Sequence, residues 1–177
     1  MDICYSCGGD IAVIKDRPYH YDECGLKVII HGITQYDCLA CGETYASIPN
    51  TQRLHLLIGS HICEKRKALL RPDEILFLRK DLHLRAKELA KILGASPQAV
   101  SRWENGKKPI GETHDRLLRA LYMMYASEQA NHVICQGALD IFSELPAKSE
   151  RKTITETEEI VLNPQEWLSD TGDCCSI

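Results

Sequence analysis

Two cysteine pairs constrain this chain more than any other feature. Cys4-Tyr5-Ser6-Cys7-Gly8-Gly9 and Cys38-Leu39-Ala40-Cys41-Gly42 each set two thiols on one tight turn, with a glycine where the backbone must curl back. Four thiolates complete a tetrahedral zinc shell and leave no position for water, so the spacing predicts one structural Zn2+ per chain on Cys4, Cys7, Cys38 and Cys41. A redox dithiol needs only one such pair. Thirty residues separate the pairs and must hold structure of their own. Among them Ile11-Ala12-Val13-Ile14 and the run from Lys27 to Ile33 are β-prone, split by Arg17-Pro18 and Cys24-Gly25. A small antiparallel sheet clasped by the metal is the expectation. Cys24 reads as a small half-buried residue, and His61-Ile62-Cys63 as part of a helix rather than as ligands.

The chain of 177 residues is long enough for one large domain or two small ones. Its 44% hydrophobic and 26% charged residues are those of a soluble globular protein. No run approaches the roughly 18 apolar residues of a membrane span, and Met1-Asp2-Ile3-Cys4 lacks the order of a signal peptide, so a cytoplasmic protein without membrane contact is expected. Nine cysteines in such a chain favour metal over disulfides. The net charge of -4 hides a division: residues 1–63, 64–108 and 109–177 carry -3, +6 and -7. A basic middle between acidic ends fits a nucleic-acid contact confined to one segment.

Asn50 after Ile48-Pro49 opens a helical pattern carrying Leu54, Leu57, Ile58 and Ile62, which predicts an amphipathic helix over about 51–67. Its apolar stripe can pack on the zinc module or against a second copy of itself. Ile75, Leu78 and Leu82 then mark a helix from Pro72, and Leu89, Ala90 and Leu93 a second one that Gly94 ends. Ser96 as cap, Pro97 as first residue, and Asn105-Gly106 as left-handed terminators bound a third helix. A fourth, from about Glu112, carries Leu117, Leu118, Leu121 and Tyr122. Three short helices with a glycine turn before the third make a helix-turn-helix domain. In its third helix Val100 and Trp103 face a core while Gln98, Ser101, Arg102 and Asn105 face outward. Gln pairs with adenine and Arg with guanine through two hydrogen bonds each in a major groove, so Gln98 and Arg102 are the candidate base readers.

The segments Glu88-Leu89-Ala90, Leu93-Gly94, Ser96, Val100-Ser101-Arg102-Trp103-Glu104 and Gly106 resemble the Cro/repressor (Xre) type of helix-turn-helix. With the two cysteine pairs, Lys15-Asp16-Arg17-Pro18-Tyr19 and Ile30-His31-Gly32-Ile33, residues 1–125 resemble the MqsA-like, YgiT-type zinc-binding antitoxins. The resemblance places zinc ligands on Cys4, Cys7, Cys38 and Cys41 and base readers on Gln98 and Arg102, where the family's first reader is Asn. It implies a homodimer that represses its own operon from a palindromic operator in double-stranded DNA, and a zinc module that holds a ribonuclease toxin. Ser96, Ser101 and Asn105 are supporting candidates, and Arg85, Lys87, Lys107 and Lys108 are candidates for phosphate. Arg71 and Arg85-Ala86 depart from the Ser/Thr and Ser/Thr-Gln that often open the first two helices.

The expected fold class is α+β: a zinc-bound β module over 1–48, a linker helix over 49–70, an all-α helix-turn-helix domain over 71–125, and an acidic helical or irregular extension over 126–177. In that extension Val133 to Leu145 reads as a helix, Lys148 to Glu159 as polar linker, and Ile160-Val161-Leu162, Trp167 and Cys174-Cys175 as no motif. The extension is a candidate for dimerisation or partner binding. The alternative to an antitoxin is a stand-alone zinc-containing regulator whose extension senses or dimerises. An enzyme is not expected, since the cysteine set leaves no open metal position and no acid-base constellation accompanies it.

Overall fold

The structure, a computed structural model, describes residues 3–15, 17–66, 68–130, 159–163 and 165. In chain order its elements are β1 (Ile11–Ile14), β2 (Tyr19–Tyr21), β3 (Val28–Ile30), β4 (Thr34–Cys38), β5 (Thr44–Ser47), α1 (Thr51–Lys65), α2 (Pro72–Asp81), α3 (Ala86–Ile92), α4 (Pro97–Glu104), α5 (Glu112–Ala130) and β6 (Ile160–Leu162). The class is α+β. The chain divides into two compact units: Met1–Asp22 with Lys27–Leu54 and Glu158–Ile177, and Glu23–Leu26 with His55–Thr157. The readings of Val133 to Leu145 as a helix and of Cys174-Cys175 lie outside the described residues.

In the first unit the single antiparallel sheet is replaced by two three-stranded sheets, β1-β4-β5 and β2-β3-β6. The first is antiparallel throughout, with Ile11 opposite Cys38 and Tyr36 opposite Tyr45. The second is mixed, because β3 runs antiparallel to β2 and parallel to β6. The β-prone run from Lys27 to Ile33 breaks at Gly32, whose φ of 73° is one that residues with a side chain rarely adopt. Ile160-Val161-Leu162, unremarkable in sequence, forms the third strand of that second sheet. Between β1 and β2, Arg17 reaches β4: its Nη1 and Nη2 donate to Asp37 Oδ2 and Oδ1 at 2.8 and 2.7 Å, and its Nε to Gln35 Oε1 at 2.9 Å. Gln35 returns its own amide N–H to the Arg17 carbonyl. That guanidinium holds the Asp37 carboxyl below the usual carboxylate range.

The second unit is helical. Asn50, the residue before α1 and at φ 50°, caps that helix through Oδ1, which accepts from the Arg53 N–H at 3.2 Å. Arg71 and Arg85 cannot accept a hydrogen bond as a capping Ser or Thr would. In their place the third helical residue works backwards: Glu74 Oε2 accepts from the Arg71 N–H, and Glu88 Oε2 from the Arg85 N–H, each at 2.7 Å. Half a capping box therefore opens both helices.

α1 meets α5 of the same chain at Gly59 and at the backbone carbonyls of His55, Ile62 and Cys63. Gly59 makes this possible: a Cβ there would stand 2.1 Å from the Tyr122 ring. The Tyr122 hydroxyl donates to Asp81 Oδ2 at 2.6 Å, with the His55 carbonyl as a second acceptor at 3.2 Å. Burial, then the Asp81 charge, push the Tyr122 pKa up. One turn earlier the fully buried Arg119 donates to Asp115 Oδ2 and to the carbonyls of Ile62, Cys63, Arg66 and Ala68 at 2.8 to 3.2 Å. Asp115 also accepts from the Leu70 N–H at 2.7 Å. On α5 Asp115, Leu118, Arg119, Tyr122, Met123 and Ala126 are buried, while Leu117 is 42% exposed.

Candidate metal centre and candidate nucleic-acid interface

The two cysteine pairs fold into matching turns. In the first, the Gly8 N–H donates to the Cys4 carbonyl at 2.8 Å and the Cys4 N–H to the Gly9 carbonyl at 2.9 Å. In the second, the Gly42 N–H donates to the Cys38 carbonyl at 3.1 Å and the Cys38 N–H to the Glu43 carbonyl at 2.8 Å. Gly8 and Gly42 hold φ of 74° and 75° at equivalent places, the reason a glycine follows each pair. Gly9 is needed for a different reason, since a Cβ there would lie 2.7 Å from the Ala40 Cβ.

This brings the four sulfurs within 4.8 Å of one another. The Cys4–Cys41 and Cys7–Cys38 separations are 3.7 and 3.5 Å. A tetrahedron of sulfurs around an ion with bonds of about 2.3 Å has edges of about 3.8 Å, so the donor set suits a four-coordinate metal. Backbone N–H groups of Cys41 and Ala40 lower the Cys38 pKa to about 6. At Cys41 the Glu43 N–H also lowers it but is outweighed by the neighbouring thiols of Cys38 and Cys7, which push it up to about 12. Metal binding at these cysteines takes them as thiolates and so releases the protons of those that are protonated.

In the second unit, α2, α3 and α4 form the helix-turn-helix. Gly94, at φ 65°, turns the chain between α3 and α4. Ser96 Oγ accepts from the Ala99 N–H at 3.1 Å, and Pro97 occupies the first turn. Val100 and Trp103 are 0% and 5% exposed, and the Trp103 ring lies 5.0 Å from that of His114 on α5. Arg79 of α2 clamps the far end, donating from Nε and Nη2 to Glu104 at 2.5 and 3.2 Å and from Nη1 to the Leu84 carbonyl at 2.8 Å. At the C-terminus only Gly106 is left-handed, at φ 67°, whereas Asn105 stays at -95°, correcting the expectation that both would be.

With its inner face fixed, α4 presents Gln98, Ser101, Arg102 and Asn105 to solvent. Together with Pro97 and Lys107 they line one shallow open depression. Asn105 Nδ2 donates to the Ser101 carbonyl at 2.7 Å and to its Oγ at 3.3 Å, so these two residues are partly engaged with each other. Among the described residues nothing bonds the side chains of Gln98 or Arg102. Arg85, Lys87 and Lys108 are exposed but outside the depression, and Ser96 Oγ is committed to its cap. Two devices escaped sequence reading, the Arg79–Glu104 clamp that holds this surface and the Asp115–Arg119 pair that ties α5 to the end of α1. The second had a signal in its helical spacing of four.

The family model for the antitoxin component of bacterial toxin-antitoxin systems, MqsA, matches residues 2–124. Antitoxin MqsA of Escherichia coli (strain K12) is 28% identical over 119 residues, covering 67% of this chain and 88% of the relative. The matched segment holds the four clustered cysteines and the whole helix-turn-helix. On the extent of that match and the two sites inside it, the chain belongs to the MqsA antitoxin family.

Proposed function

We propose that the protein is a sequence-specific DNA-binding repressor of its own operon, and an antitoxin that neutralises a ribonuclease toxin through its metal-bearing module. The carrying observation is α4: its inner face is locked by Val100, Trp103 and the Arg79–Glu104 clamp, and its outer face leaves Gln98 and Arg102 side by side without internal partners. Side chains held on a rigid element and free of intramolecular bonds can give both groups to a base edge. Gln98 takes adenine, Arg102 takes guanine, and Lys107, Lys108, Arg85 and Lys87 supply charge to phosphates. The protein acts as a homodimer whose two copies of α4 enter successive major grooves of a palindromic operator roughly 34 Å apart. The metal is zinc, because four sulfurs at tetrahedral spacing suit it and close its shell. Membership of an antitoxin family supports the toxin partner and a cytoplasmic setting.

Gel-shift titration on the protein's own upstream region tests this reading. Arg102→Ala should cost about 1 to 3 kcal/mol and relax sequence preference, whereas Lys107→Ala should weaken all sequences alike and reduce the salt dependence. Wild-type affinity in Arg102→Ala refutes α4 as the reading helix.

A further inference from the structure

Residues 160–162 fill a sheet edge with sequence drawn from the far end of the chain. β6 lies parallel to β3, with Val28 opposite Ile160, Ile29 opposite Val161 and Ile30 opposite Leu162. The ladder is short, running from the Ile160 N–H on the Lys27 carbonyl at 3.2 Å to the His31 N–H on the Leu162 carbonyl at 2.9 Å. Its side chains alternate: Ile160 and Leu162 are 9% and 1% exposed, and Val161 is 51% exposed. Ile160 extends the cross-strand row of Tyr21 and Val28, and Leu162 extends the row of Tyr19 and Ile30. Acidic Glu158-Glu159 precede the strand and Asn163-Pro164 follow, where proline has no N–H to continue a ladder.

Two features set this strand apart from the others. A hairpin partner would be antiparallel and held by its turn, whereas a parallel partner so distant in sequence is held by its own ladder and side chains. The family match also ends at residue 124, so the occupant of this edge comes from sequence outside it. Main-chain bonds that give affinity and alternate side chains that give specificity are the features of strand addition by a peptide.

We propose that the β3 edge is an exchangeable docking site for an extended peptide with aliphatic side chains at alternate positions, and that residues 160–162 are its tethered occupant. A partner that adds a strand to β3 must displace the tail. The tail therefore competes with such partners, and its removal opens the edge.

The test uses the full-length metal-loaded chain, a fluorescein-labelled peptide of residues 156–165, and the double substitution Ile160→Asp with Leu162→Asp. The double variant is expected to keep its metal stoichiometry and helical circular dichroism, and to bind the peptide by anisotropy at least tenfold more tightly than wild type. The same peptide carrying Leu162→Asp is expected not to bind. In wild type, the His31 amide is expected to exchange with solvent deuterium at least tenfold faster than amides of β4. Equal peptide affinity for the two chains, loss of metal in the double variant, or His31 protection equal to that of β4 overturns the proposal. The last two outcomes would make β6 an integral strand, whatever the protein does with DNA.

Discussion

Arg119 is buried with no solvent exposure, and the cost of desolvating a guanidinium is offset only because its donors meet one carboxylate and four carbonyls. Three of those carbonyls belong to the last turn of α1 and the residue after it, so one side chain caps that helix and ties it to α5. Arg119→Met should therefore cost about 3 to 5 kcal/mol, because it strands the Asp115 charge and unpairs the carbonyls together. Urea unfolding followed by helical circular dichroism checks this, and a loss below about 1 kcal/mol would contradict the bonding described. Gly59 shows the same dependence on single atoms: the approach of α1 to Tyr122 exists only because no Cβ stands there.

At the scale of elements, α4 has eight residues and would not persist alone in water. Its ends and one face are fixed from outside: Ser96 at the start, Gly106 at the end, Val100 and Trp103 within, and Arg79 across to Glu104. Ser96→Ala should lower stability by about 1 kcal/mol through the unsatisfied Ala99 N–H. Measured by denaturation and gel shift side by side, this change should move stability while leaving base preference unaltered. An altered preference would make Ser96 a reader rather than a cap. The Glu74 and Glu88 caps of α2 and α3 illustrate how a departure at one position, Arg71 or Arg85, is compensated three residues on.

For the molecule as a whole, the division into two units predicts two separable stabilities. The first unit builds β1-β4-β5 on the turns that carry its cysteines, with Cys38 the last residue of β4. The second holds its helices through apolar burial and the Arg119 and Tyr122 networks, none of which involves the four cysteines. Chelation of the metal should therefore abolish the structure around Gly8 and Gly42 while the helical unit keeps its own thermal transition. Amide NMR reads both, with the Trp103 indole N–H reporting the helical unit. Simultaneous collapse of both units on chelation would show instead that they fold as one.

What residues decide among near neighbours was readable from the chain alone. The cluster of four cysteines follows from two C-x-x-C spacings, the ends of α4 from Ser96-Pro97 and Gly106, and its inner and outer faces from Val100 and Trp103 against Gln98 and Arg102. Caps, metal turns and helical periodicity act over a few residues, so their signals are local. Periodicity states that a face is buried, and not what buries it. Only tertiary structure brought Gly59 of α1 against Tyr122 of α5, turned Leu117 outward and Arg119 inward, and split the strands into two sheets. The parallel pairing of Ile160–Leu162 with β3 is the extreme case: three residues without a turn signal acquire a structural role only when distant chain supplies the edge they complete.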